Sequence, residues 1–121
     1  MSEPPPYAGP FPPKFRGTQT GLKNPSMVDE FKAAMLGGEF QFHEIRARVS
    51  GIRDRKGVYH VVEGHHRIVA ALEILRETGT EAPLRKLLRW GRWCERKHRP
   101  RDSRPMPSRS WWGKFRNWLG I

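Results

Sequence analysis

Val61-Val62-Glu63-Gly64-His65-His66-Arg67-Ile68-Val69-Ala70-Ala71-Leu72 sets an acid, a glycine, two imidazoles and a guanidinium between two apolar segments of different period. Upstream, Val58, Tyr59, Val61 and Val62 are β-branched or aromatic; downstream, Ile68, Leu72 and Leu75 recur at the spacing of a helix face. The polar pentad is therefore expected at a strand-to-helix junction. Such a junction attracts anions, because the free N–H groups and the dipole of the first helical turn point at whatever sits there. Gly64 lets the chain turn, and Arg67 adds a fixed cationic fork. Two imidazoles and an arginine at a positive helix end repel one another unless an anion or an acid compensates, which favours phosphate at this corner.

Working outward, Asp54-Arg55-Lys56-Gly57 reads as a turn into a strand over Val58 to Val62. Before it, Ile45, Ala47 and Val49 alternate with Arg46, Arg48 and Ser50, which predicts a half-buried strand. Ser26 with Asp29 three residues on predicts a helix N-terminus, and Val28, Phe31 and Met35 mark one face up to Gly37-Gly38. The helix after the pentad is expected to end at Thr78-Gly79. Pro83 opens another, with Leu84, Leu87 and Leu88 facing inward.

The charge is uneven. The net +11 divides into eleven Lys/Arg against ten Asp/Glu in residues 1–84 and twelve against two in residues 85–121, where all five tryptophans also lie. A near-neutral domain with a basic, aromatic tail suits a polyanion whose bases stack, or an anionic membrane surface. Residues 1–25 hold seven prolines and read as a flexible, proline-rich arm; 26–95 form the domain; 96–121 form the basic, tryptophan-rich tail. Residues 96–109 show no periodicity and are expected to be extended and solvated, followed by a short amphipathic helix from Trp111 to Leu119. No run approaches the roughly 20 apolar residues of a membrane span, and the proline-rich start has no apolar signal core, so a cytoplasmic location is expected. The single cysteine, Cys94, excludes an intramolecular disulfide framework and a zinc ribbon. His60, His65 and His66 match no established zinc spacing, and Tyr59 and His60 read as ordinary strand residues.

The pentad, the strand before it, the helix beginning Arg67-Ile68-Val69-Ala70-Ala71 and the upstream Asn24-Pro25 followed by a helix resemble, in that order, the ParB/sulfiredoxin superfamily. The form Glu63-Gly64-His65-His66-Arg67 is most similar to its acid-Gly-His-His-Arg branch of ParB-like nucleases and free-serine kinases. The resemblance implies an α+β fold: a small domain with a short mixed sheet and about three helices. It implies phosphate or nucleotide binding by Gly64, His65, His66 and Arg67, with Glu63, His65 and His66 as catalytic candidates and Glu30 as a second acid. Sulfiredoxins carry a catalytic cysteine where His65 stands, so sulfinic acid reduction is not implied.

A carboxylate such as Glu63 serves as general base or magnesium ligand, and a histidine near neutral pKa exchanges protons. The first expectation is thus a nuclease or nucleotide-dependent phosphotransferase using a nucleoside di- or triphosphate and magnesium. Its nucleic-acid contacts would be Arg96, Arg99, Arg101, Arg104, Arg109, Trp111 and Trp112. The alternatives are a non-catalytic nucleic-acid-binding protein anchored by the same corner, and a peripheral membrane or partner-binding protein led by the terminal helix.

Overall fold

The computed structural model describes residue 9 and residues 11–19 and 21–107. The expected helix over Trp111–Leu119, with Arg109, Trp111 and Trp112, lies outside them. The elements run β1 (Phe15–Gly17), α1 (Ser26–Leu36), a 3-10 turn (Ile45–Ala47), β2 (Ser50–Arg53), β3 (Tyr59–Glu63), α2 (His65–Thr78), α3 (Ala82–Trp90), β4 (Arg92–Glu95) and β5 (Arg104–Pro105). The sheet order is β4-β2-β3-β1-β5. β1 lies parallel to β3 and β4 parallel to β2, while β2/β3 and β1/β5 are antiparallel. The fold is α+β, with three helices and a five-stranded mixed sheet.

α2 is buried on every side from Ile68 to Leu75 because it is the central helix. Ile68, Val69, Ala70, Ala71, Leu72 and Ile74 are all at most 1% exposed, packed between α1, α3 and the sheet residues Phe15, Tyr59 and Val61. It ends as expected at Gly79, whose φ of +74° suits glycine and whose N–H donates to the Leu75 carbonyl. Lys32 of α1 ties the helices together, reaching Glu73 at 3.1 Å and Glu77 at 2.8 Å.

Four local expectations are corrected. Residues 45–49 form no strand: the Arg48 guanidinium donates to the His43 carbonyl through Nε (3.0 Å) and Nη2 (2.7 Å), the backbone turns, and Ile45 stands 65% exposed. Only Val49 of that alternating set is buried, and β2 begins after it. Ser26 is not the N-cap. Pro25 takes that place, and the Ser26 hydroxyl pairs with Asn24 Oδ1 at 2.6 Å. The arm expected over 1–25 is in part a structural strap, since Phe15 is 1% exposed and β1 sits inside the sheet. Residues 96–109 are not wholly solvated either: β5 pairs with β1, and Met106 and Pro107 are buried.

Candidate functional site

The junction of β3 and α2 is built around Gly64. Its φ of +93° is left-handed, and a Cβ there would lie 2.4 Å from Val49 Cγ1, so only glycine fits. Facing the turn is the segment that leaves β1. The Thr18 N–H donates to His65 Nε2 (3.1 Å), the Thr18 hydroxyl donates to the Val61 carbonyl (3.3 Å), and the Asn24 N–H donates to His66 Nε2 (3.2 Å). Gly17 allows this closeness, because a Cβ on it would meet the His65 ring at 3.0 Å.

Both imidazoles thus act as acceptors and stand neutral. Burial, then the neighbouring His66, pushes His65 down to about 4, opposed by the Val61 backbone. Burial and the Arg67 charge also lower His66. The mutual repulsion expected of three cations is therefore relieved by proton loss, without an anion, and the corner carries one cation, Arg67. Its Nη2 donates to the Arg46 carbonyl at 2.9 Å, and its guanidinium lies 5.2 Å from the Phe31 ring centroid. Burial disfavours the Arg67 charge, and the charge of Glu63 at the exposed end of β3 favours it.

Of the expected site residues, Glu63, Gly64, His65, His66 and Arg67 come together, but His65, 1% exposed, faces inward. Glu30 is an exposed residue of α1 and takes no part in the hydrogen bonds that close the corner. His60 sits on β3 and bonds elsewhere, so it forms no zinc set with His65 and His66. Among the described residues no group of three or more His, Cys, Asp or Glu is arranged to hold a metal ion. Gln19 Oε1, His65 Nδ1 and Arg67 Nε are buried and make no well-formed hydrogen bond. They are three of five such atoms among the described residues, and they come from the two segments that meet at the corner. The first turn of α2 has no side-chain cap.

A second polar region lies at the opposite end of β3. Arg96, Lys97 and Arg99 of the expected tail share clefts with Arg16, Arg53, Arg55 and Lys56. The sequence carries no spacing that groups these residues; β1, the β2–β3 hairpin and the chain after β4 bring them together. Arg101 is exposed, and Arg104 is half-buried within β5. The acids nearby are engaged, Asp54 with His60 and Glu95 with Arg53 (3.4 Å).

This architecture defines a small α+β domain with a polar strand-to-helix corner at one end and a cationic cleft at the other. No protein-family model, curated protein or solved structure matches the chain. Among the described residues no helix is long and apolar enough to cross a membrane.

Proposed function

We propose that this chain is a ParB-like phosphate-binding module that acts on nucleic acid or a nucleotide. The observation that carries the reading is the buried Arg67 Nε–H, a donor with no well-formed hydrogen bond, on the uncapped first turn of α2. Buried polar atoms are costly without partners, and a phosphate accepts from Arg67 and from the free N–H groups of residues 65–67. His65 and His66 position the strand-to-helix turn against Thr18 and Asn24 rather than gripping the anion. Glu63, exposed beside Arg67, is the group available for a proton or magnesium in a nuclease or phosphotransferase.

A non-catalytic nucleic-acid-binding reading is favoured by the cations gathered around the β2–β3 hairpin, which suit a phosphate backbone. Glu63→Gln separates the two readings. An enzyme loses turnover of ATP or plasmid DNA in magnesium while keeping nucleotide affinity; a wild type that binds but turns over no nucleotide, DNA or RNA is a binder.

A further inference from the structure

Asp54, His60 and Ser103 form a continuous hydrogen-bonded relay on β3 and the segments that flank it. His60 Nε2 lies 2.8 Å from Asp54 Oδ2, and His60 Nδ1 lies 2.8 Å from Ser103 Oγ. With His60 neutral, the chemistry of the groups gives the direction of each proton. Asp54 Oδ1 already accepts the N–H groups of Lys56 (2.9 Å) and Val58 (3.1 Å). Burial alone would raise the Asp54 carboxyl, but these bonds and the one from His60 outweigh it and hold the acid below its ordinary value. An ionised carboxylate only accepts, so His60 Nε2 carries a proton, and in the neutral ring that leaves Nδ1 bare. The Ser103 hydroxyl then donates to Nδ1, while Arg16 Nε donates to Ser103 Oγ at 2.9 Å.

That is the order of groups in a nucleophile–base–acid triad, with Nδ1 rather than Nε2 turned to the serine. The sheet holds it in place. Arg16 and His60 are register partners on β1 and β3, and the β5 pairing of Arg104 with Gly17 fixes the residue after Ser103. His60 is fully buried, whereas Ser103 is half-buried. Asp54, His60 and Arg16 line a cleft of about 640 Å³ whose wall also carries Lys56, Lys97, His98 and Arg99.

We propose that Ser103 is a nucleophile, activated by His60 and oriented through Asp54, for esters of negatively charged molecules. In the first half-reaction Ser103 Oγ bonds to the ester carbonyl carbon, and the hydroxyl proton passes to His60 Nδ1. The carbon–alkoxide bond breaks, and the alkoxide takes that proton and leaves as the alcohol. Water then attacks the acyl-serine carbonyl carbon and gives a proton to His60 Nδ1; the carbon–Oγ bond breaks, Ser103 Oγ takes that proton back, and the carboxylic acid is released. Arg16 holds Oγ in line and supplies positive charge beside the developing oxyanion, and the lysine and arginine wall selects anionic substrates. This site is separate from the α2 corner, so its test does not depend on phosphate binding there.

The full chain is treated with a fluorophosphonate, and the adduct is mapped by tandem mass spectrometry. One adduct on Ser103 is expected, absent from Ser103→Ala. In Asp54→Asn the side-chain oxygen can still cap the turn, but the amide donates to His60 and imposes the wrong tautomer, so labelling should slow by at least about tenfold. No adduct in wild type, an adduct confined to another residue, or a folded Asp54→Asn that labels at the wild-type rate overturns the proposal. If either variant fails to fold by circular dichroism, the adduct map on wild type decides alone.

Discussion

His65 Nε2 accepts the backbone N–H of Thr18 at 3.1 Å, a bond that spans 47 residues and joins the start of α2 to the segment after β1. The bond requires a neutral ring, and this makes the corner sensitive to acid.

In the unfolded chain His65 titrates near 6.5, and in the folded chain at about 4. Between those values the unfolded state holds more protons, so stability is fully present above pH 6.5 and is lost as pH falls toward 4. A tenfold change in proton affinity corresponds to about 1.4 kcal/mol, so the loss is on the order of 3 kcal/mol. Urea denaturation between pH 7.5 and 4 should show this slope, and His65→Gln, which keeps an acceptor, should flatten it.

Gly64→Ala should destabilise the fold by about 2 kcal/mol or more, since alanine is strained at a positive φ and its Cβ meets Val49. Val49→Ala in the same chain should recover only part of the loss, because the backbone cost remains. The difference is read from denaturation midpoints at constant m-value.

Lys32 lies against Glu73, whose side chain is fully buried. Burial disfavours the Lys32 charge, but hydrogen bonds to Glu77 and Glu73 outweigh it and raise its pKa. Lys32→Met removes the ammonium from a buried carboxylate and should cost about 3 kcal/mol, whereas Lys32→Met with Glu73→Leu should cost less than the sum of the two single changes. Additive losses in a double-mutant cycle would show that the pair is uncoupled.

The basic segment should bind nucleic acid in a salt-dependent way. Arg96→Gln, Arg99→Gln and Arg101→Gln together should lower the slope of log affinity against log salt by about 0.9 per lost duplex contact, or about 0.7 for single strands, without lowering the melting temperature. Point substitutions keep β5, the buried Met106 and Ser103 in place, all of which lie beyond Glu95.

α2 and its two ends were legible because a 14-residue helix with apolar spacing, a glycine before and a glycine after is specified locally. The same holds for the Asp54–Gly57 turn, which Asp54 closes on its own neighbours. β1, β4 and β5 were not legible. Each is two to four residues long, and each is held by pairing with a distant strand rather than by its own pattern. The reading of 45–49 failed for a related reason: alternation over five residues is weak beside the two hydrogen bonds by which Arg48 turns the chain. At the corner the pentad was found as a group, but the inward turn of His65 depends on Thr18, and no local spacing announces it. Asp54, His60 and Ser103 belong to three segments that only the folded sheet brings together.

The central claim is that the start of α2 holds phosphate. Its most direct test is an amide-resolved NMR titration of the isotopically labelled full chain with pyrophosphate. The account predicts saturable changes in resonance position centred on the amides of residues 65–67 and on the Arg67 Nε–H, all lost in Arg67→Ala while the rest of the spectrum keeps its dispersion. Changes confined to residues 96–104, or equal in wild type and Arg67→Ala, would contradict it.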